Sequence, residues 1–212
     1  MANRRTAVVI AGIMLSLFMS AIEATVVATA MPTIVSQLGG LAAYSWVFSA
    51  YMLTSTTTVP LYGKLSDLYG RRRLFFIAMT LFLLGSILCG MSQSMEQLIA
   101  FRALQGLGAG GLIPLAFIII GDILPFAQRA RMQGLFSGVW GVASIAGPLL
   151  GGFLVDQLSW RWVFYVNIIP GLLAIALVGI ALRDPVRAPG AARPSVDYGG
   201  ALLLTAGVVA LL

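Results

Sequence analysis

The chain has 212 residues, 59% of them hydrophobic and 9% charged, with a mean hydropathy of +0.97. Soluble domains carry roughly 25% charged residues, so a water-soluble globule is excluded and lipid must solvate much of this surface. A net charge of +6 and the absence of histidine leave no His-ligated metal site and no His-based catalytic triad.

A spanning helix needs about 20 apolar residues to cross ~30 Å of hydrocarbon. Six stretches meet this length, near 7–30, 44–63, 74–92, 97–120, 132–154 and 161–182. The expected fold class is an all-α integral membrane protein. The first stretch follows a short basic start, Met1 to Thr6, but is too long for a signal-peptide core and lacks a small-residue cleavage site. It reads as a retained helix. Residues 1–182 are expected to form one six-helix bundle, 183–198 a Pro-rich cytoplasmic linker, and 199–212 the start of a truncated seventh helix. Two bundles joined by a linker is the plan of a transporter built from repeated halves. The lone Cys89 lies in an apolar run and forms no intramolecular disulfide.

Basic residues set the expected orientation. Arg4, Arg5, Lys64, Arg71, Arg72, Arg73, Arg129, Arg131, Arg183, Arg187 and Arg193 all fall on alternate connections. The positive-inside rule makes that side, and the N-terminus, cytoplasmic. Tyr44, Trp46, Trp160 and Trp162 are expected as aromatic anchors at the outer boundary.

Two charges fall inside apolar helices: Glu23 in the first and Arg102 in the fourth. Ionisable groups in membranes are costly and mark ion or solute pathways. Counted along their helices, the two lie at similar depth and can face each other. Either they form a fixed ion pair stapling two helices, or Glu23 loads and releases protons beside a cation-binding cavity. Gln105 and Gly106 share a face with Arg102, and Gly106 and Gly110 form a GxxxG pair allowing close helix approach. Gln105 and Asn167 are candidates for the cavity wall, although such side chains more often make helix–helix hydrogen bonds.

Helix five carries Gly134, Gly138, Gly141, Gly147, Gly151 and Gly152, with Pro148 to loosen it. The run is either static packing or a surface on which two halves rock. Between helices two and three, Gly63 to Arg73 reads GKLSDLYGRRR. Arg71, Arg72 and Arg73 anchor orientation, but Asp67 adds little to it. A cytoplasmic latch is the further reading, with Gly63, Asp67, Gly70, Arg71 and Arg72 joined by Asp122 from helix four.

GKLSDLYGRRR resembles the loop motif of the major facilitator superfamily, and RALQGLGAGG (Arg102 to Gly111) resembles its helix-four motif. GVASIAGPLLGG, EATVVATAMPTI and WRWVFYVNIIP are similar to motifs of its fourteen-helix drug/proton antiporters. The resemblance implies proton-coupled efflux of drugs or of amphipathic or cationic compounds, driven by the proton gradient with no cofactor. A narrow exporter of one metabolite, antibiotic or lipid on the same scaffold is the alternative. The resemblance assigns Glu23 and Arg102 to proton coupling, and Asp67, Arg71 and Asp122 to the latch. Gly147, Pro148 and Gly151 go to the interface between halves. It further implies the inner membrane as location, and as partners a small-molecule substrate, the bilayer and a C-terminal half, with no nucleic acid. A membrane enzyme is disfavoured because no metal-ligand cluster or Ser–base pair is present. Strong substrate counter-flow would distinguish a carrier from a channel or a structural scaffold.

Overall fold

The computed structural model describes residues 4–183, 200 and 207. The linker and seventh helix expected from the sequence lie outside the described residues. Helices α1 (Arg4–Leu38), α2 (Tyr44–Tyr69), α3 (Arg71–Met91), α4 (Met95–Ile123) and α5 (Phe126–Gln157) are followed by a sixth span broken into α6 (Trp162–Tyr165) and α7 (Ile168–Ala181). All six expected spans are present, and most run longer than their apolar stretches because polar ends extend beyond hydrocarbon. Five of the six are apolar enough to cross a membrane on composition alone. The exception is α2, whose 26 residues include the run Thr54 to Thr58. At 1.5 Å per residue it is still roughly 39 Å long. The hydroxyls of Thr54, Ser55, Thr57 and Thr58 bond back to carbonyls three or four residues earlier, and the fifth, Thr56, is exposed.

The connections are tight for local reasons. Gly70 closes α2 at φ 94°, a backbone conformation that disfavours any side chain, and α3 starts at once. Ser94 caps α4 by accepting from the Gln97 N–H. Gly39 and Gly40, both at positive φ, turn the chain out of α1.

Within the bundle α4 is the hub, packed along α2 on one side and α3 on the other, while α1 packs on α5 and α7. Small residues permit this. A methyl group on Gly106 would meet Thr54 and the Tyr51 carbonyl, and one on Gly110 would meet Thr58 and the Ser55 carbonyl. Gly108 lies against the backbone of Ala78 and Phe82, and Gly111 against Ala78 and Tyr62. The α1–α5 seam repeats the arrangement: Gly147 faces Thr25 and Gly151 faces Thr29. Two apolar clusters fill the interior. One is built around Ile13, Phe75, Phe82, Leu112 and Leu115, the other around Val26, Met31, Leu98, Trp160 and Phe164.

Two expectations need correction here. Trp160 is not a boundary anchor. It is fully buried, its Nε1 donates to Gln37 Oε1 at 2.9 Å, and it meets Phe164 edge-on. Arg161, over its ring, donates to the carbonyls of Gly90 and Ser92 at the end of α3. Trp46 and Trp162 are exposed as expected. The second correction concerns Gly147 and Gly151. Both are spent on α1 within this bundle, so they offer no free face to another half, whereas Pro148 on the same helix is exposed.

Candidate functional site

The buried polar groups gather where α1, α3, α4 and α6–α7 converge. Glu23 is fully buried and Arg102 is 2% exposed. They form an ion pair through Arg102 Nη1 and Glu23 Oε1. The second carboxylate oxygen accepts from Asn167 Nδ2 at 2.6 Å. Asn167 also reaches Ser86 Oγ at 3.1 Å, and Ser86 donates to the Phe164 carbonyl at 2.8 Å. Arg102 donates to Gln105 Oε1 at 2.7 Å and to the Val47 carbonyl at 3.2 Å. Its guanidinium stacks on Tyr51, 4.1 Å from the ring centroid. A buried charge is tolerated only when paired and hydrogen-bonded, and both charges here meet that condition.

The break in the sixth span explains how Asn167 arrives. Between α6 and α7 the chain makes shorter-range bonds, Asn167 N–H to the Phe164 carbonyl among them, and the side chain turns inward at that step. Sequence reasoning placed Gln105 and Asn167 on a cavity wall. Instead both lie behind the pair, at 0% and 2% exposure, as supports. Gln105 Nε2 is the one buried side-chain donor with no partner among the described residues.

In front of the pair lies a cavity of about 600 Å³ bounded by α1, α2, α4 and α5. Glu23 and Arg102 supply its charges, and Ser20, Ser55 and Thr56 its hydroxyls. Phe48, Tyr51, Met52, Ile113 and Trp140 supply aromatic and apolar surface. From the sequence, Thr54 to Thr58 could touch a substrate, though such hydroxyls more often bond between helices; the structure brings Ser55 and Thr56 to the cavity. The apolar and aromatic part of the α2 wall, Phe48, Tyr51 and Met52, was not foreseen.

At the Arg-rich end Arg71 bridges two acids. It pairs with Asp67 and donates Nε–H to Asp122 Oδ2 at 3.0 Å, with Nη1 on Ser66 Oγ at 2.7 Å. This ties the ends of α2 and α4 to the start of α3, bringing together three of the expected latch residues. Arg72 turns away, donating to the Gly179 carbonyl at 2.7 Å and lying over Phe76. Gly63 has open space around it and joins no packed seam.

A helical bundle of membrane-crossing length, with a charged pair at its centre opening on a cavity, defines a multi-pass membrane protein with an internal polar site. Residues 13–211 match the model of the Major Facilitator Superfamily, and the chain belongs to that superfamily. It is 44% identical over 207 residues to Multidrug resistance protein 3 of Bacillus subtilis (strain 168), covering 98% of this chain and 40% of the relative. It is 43% identical over 210 residues to Multidrug transporter protein MdtP of the same organism, covering 99% and 38%. The chain thus spans about two-fifths of these relatives' length. Among solved structures it is similar to an inward-facing bacterial homolog of the human lysosomal transporter Spinster. That match has a TM-score of 0.75 at 20% identity and covers 93% of this chain and 47% of the other.

Proposed function

We propose that the full-length protein exports small hydrophobic or cationic compounds in exchange for protons, by alternating access across the inner membrane. The observation that carries this is a fully buried carboxylate, paired with an arginine, on the wall of a large and mostly apolar cavity. Names of the relatives, multidrug transporters that cover the whole of this segment, support export of varied compounds.

The chemistry follows from the pair. With Glu23 ionised, pair and cavity are neutral overall and a cationic or amphipathic compound is tolerated against the aromatic wall. Protonating Glu23 removes the partner of Arg102 and leaves a lone cation facing the cavity, which disfavours a cationic guest. A carboxylic acid still accepts through its carbonyl oxygen, so Asn167 retains Glu23 in both states while Arg102 retains it in only one. Each proton moving down 100 mV supplies about 2.3 kcal/mol. The Arg71 bridge between Asp67 and Asp122 acts as the cytoplasmic latch. It is intact when the bundle's Arg-rich end is closed against the rest of the transporter, and the N-terminus lies in the cytoplasm. The remaining C-terminal portion supplies the other wall of the pathway.

The test is ethidium-driven collapse of a proton gradient in inverted vesicles bearing the full-length protein or its Glu23→Gln variant at equal expression. Collapse by the wild type alone supports coupling at Glu23. Equal collapse by both makes the pair a structural staple. No response by either favours a narrow substrate range over multidrug export.

A further inference from the structure

The three consecutive arginines after Gly70 differ in what they touch. Arg71 is consumed by Asp67, Asp122 and Ser66, and Arg72 by Gly179 and Phe76. Arg73 is exposed and makes no hydrogen bond or ion pair with any described residue. It stands at one end of a second cavity, a groove of about 540 Å³ between α2 and α3, away from the central site. Leu61, Leu65, Ile77 and Leu81 are among its walls, and Tyr69 stands beside Arg73 at the same end. Among the described residues, none that lines it is acidic.

The groove's length decides what fits. From Thr58 to Tyr69 it runs roughly 16 Å along α2 at 1.5 Å per residue. The hydrocarbon of one leaflet is about half of ~30 Å. An apolar trough one leaflet deep, with a free cation and a phenol where the headgroups begin, matches one phospholipid lying lengthwise. Basic pockets between helices at the membrane surface recognise anionic headgroups. Among the described residues the groove's only lining charge is Arg73, and the acids of the neighbouring bridge, Asp67 and Asp122, are already paired with Arg71, so a net negative headgroup is favoured over one carrying an ammonium. We propose that this groove holds one anionic phospholipid, its phosphate on Arg73 and Tyr69 and an acyl chain along Leu65, Ile77 and Leu81. That the lipid belongs to the cytoplasmic leaflet rests on the orientation proposed above, whereas its binding does not.

Arg73 and Tyr69 each stand two residues from Arg71, so a phosphate bound there adds negative charge close to that bridge. The lipid is therefore placed to bias the latch without entering the transport pathway.

Native mass spectrometry of the full-length protein tests this, with phosphatidylglycerol or phosphatidylcholine of matched chains added to the delipidated sample. One cation at the membrane surface is worth about a five-fold change in affinity. The wild type should therefore hold one phosphatidylglycerol about five-fold more tightly than Arg73→Gln, with phosphatidylcholine, whose ammonium offsets its phosphate, weakened by clearly less. Ile77→Trp, which fills the trough, should weaken both lipids, and Arg131→Gln, an exposed cation elsewhere, should change neither. Three results would overturn the proposal: equal retention by wild type and Arg73→Gln, displacement of the lipid by glycerol phosphate alone, or no lipid on the wild type because another part of the protein covers the groove. None depends on whether Glu23 couples protons.

Discussion

Helices α4 and α5 are both rich in glycine, yet the bundle uses them in opposite ways. In α4, Gly106 and Gly110 face α2, Gly108 faces α3 and Gly111 meets both, so the helix is gripped on two sides. In α5 only Gly147 and Gly151 meet a neighbour. Among the described residues, nothing lies within 4 Å of where a methyl on Gly134, Gly138, Gly141 or Gly152 would sit, and Ile145, Leu149 and Phe153 are exposed around them. Glycine count therefore says little, and position relative to a neighbour's backbone says much. A helix held on two faces is a rigid place to mount Arg102. A helix held on one face keeps a smooth surface free for lipid or for another part of the protein.

Four single substitutions and one double break or sharpen this contrast. The largest effect is expected at Arg102, which α4 exists to hold. Arg102→Ala leaves Glu23 buried without its counter-charge and should destabilise the full-length protein by about 3–5 kcal/mol in detergent unfolding. Adding Glu23→Ala should cost less than the sum of the single changes, because the pair is a single coupled unit. Next is Gly108→Ala, which drives a methyl into the α3 backbone, where no rotamer change relieves it. A loss of about 3 kcal/mol is expected, and a neutral result would mean that α4 is not gripped on that side. Gly147→Ala meets the Thr25 side chain instead, whose Oγ1 can rotate away but whose Cβ, 2.8 Å off, yields only if α1 shifts, so a smaller cost of about 2 kcal/mol is expected on the same measurement. Last comes Gly138→Ala. In open space the alanine improves helix propensity by about 1 kcal/mol, so a small gain in stability is expected. A loss there would reveal a partner for α5 outside the described residues.

The fold was legible because membrane spans announce themselves by length and composition, and the motif order left little freedom among helical plans. Glu23 and Arg102 were legible for the same reason: lipid makes any buried charge conspicuous. What stayed hidden depends on rotation of one helix against another. Nothing in the spacing of Asn167 shows that a break between α6 and α7 turns it inward onto Glu23. Nothing in WRW distinguishes an interfacial Trp160 from a core one, since the hydrogen bond to Gln37 that permits burial crosses from another helix. Likewise the glycines of α5 form one run in sequence, and only the facing Thr25 and Thr29 separate the packed pair from the rest. Of the three arginines after Gly70, charge alone could not tell which were spent and which had no partner among the described residues.

The central claim is that Glu23 exchanges a proton when the cavity changes occupant. It is tested most directly by adding a tight-binding cationic drug to the full-length protein in weakly buffered detergent and measuring proton release to the medium. The wild type should release protons as drug binds, and Glu23→Gln, still binding drug, should release none. Equal release from both proteins, or drug binding by the wild type with no release at any pH, would contradict the claim and leave the Glu23–Arg102 pair a structural tie between α1 and α4.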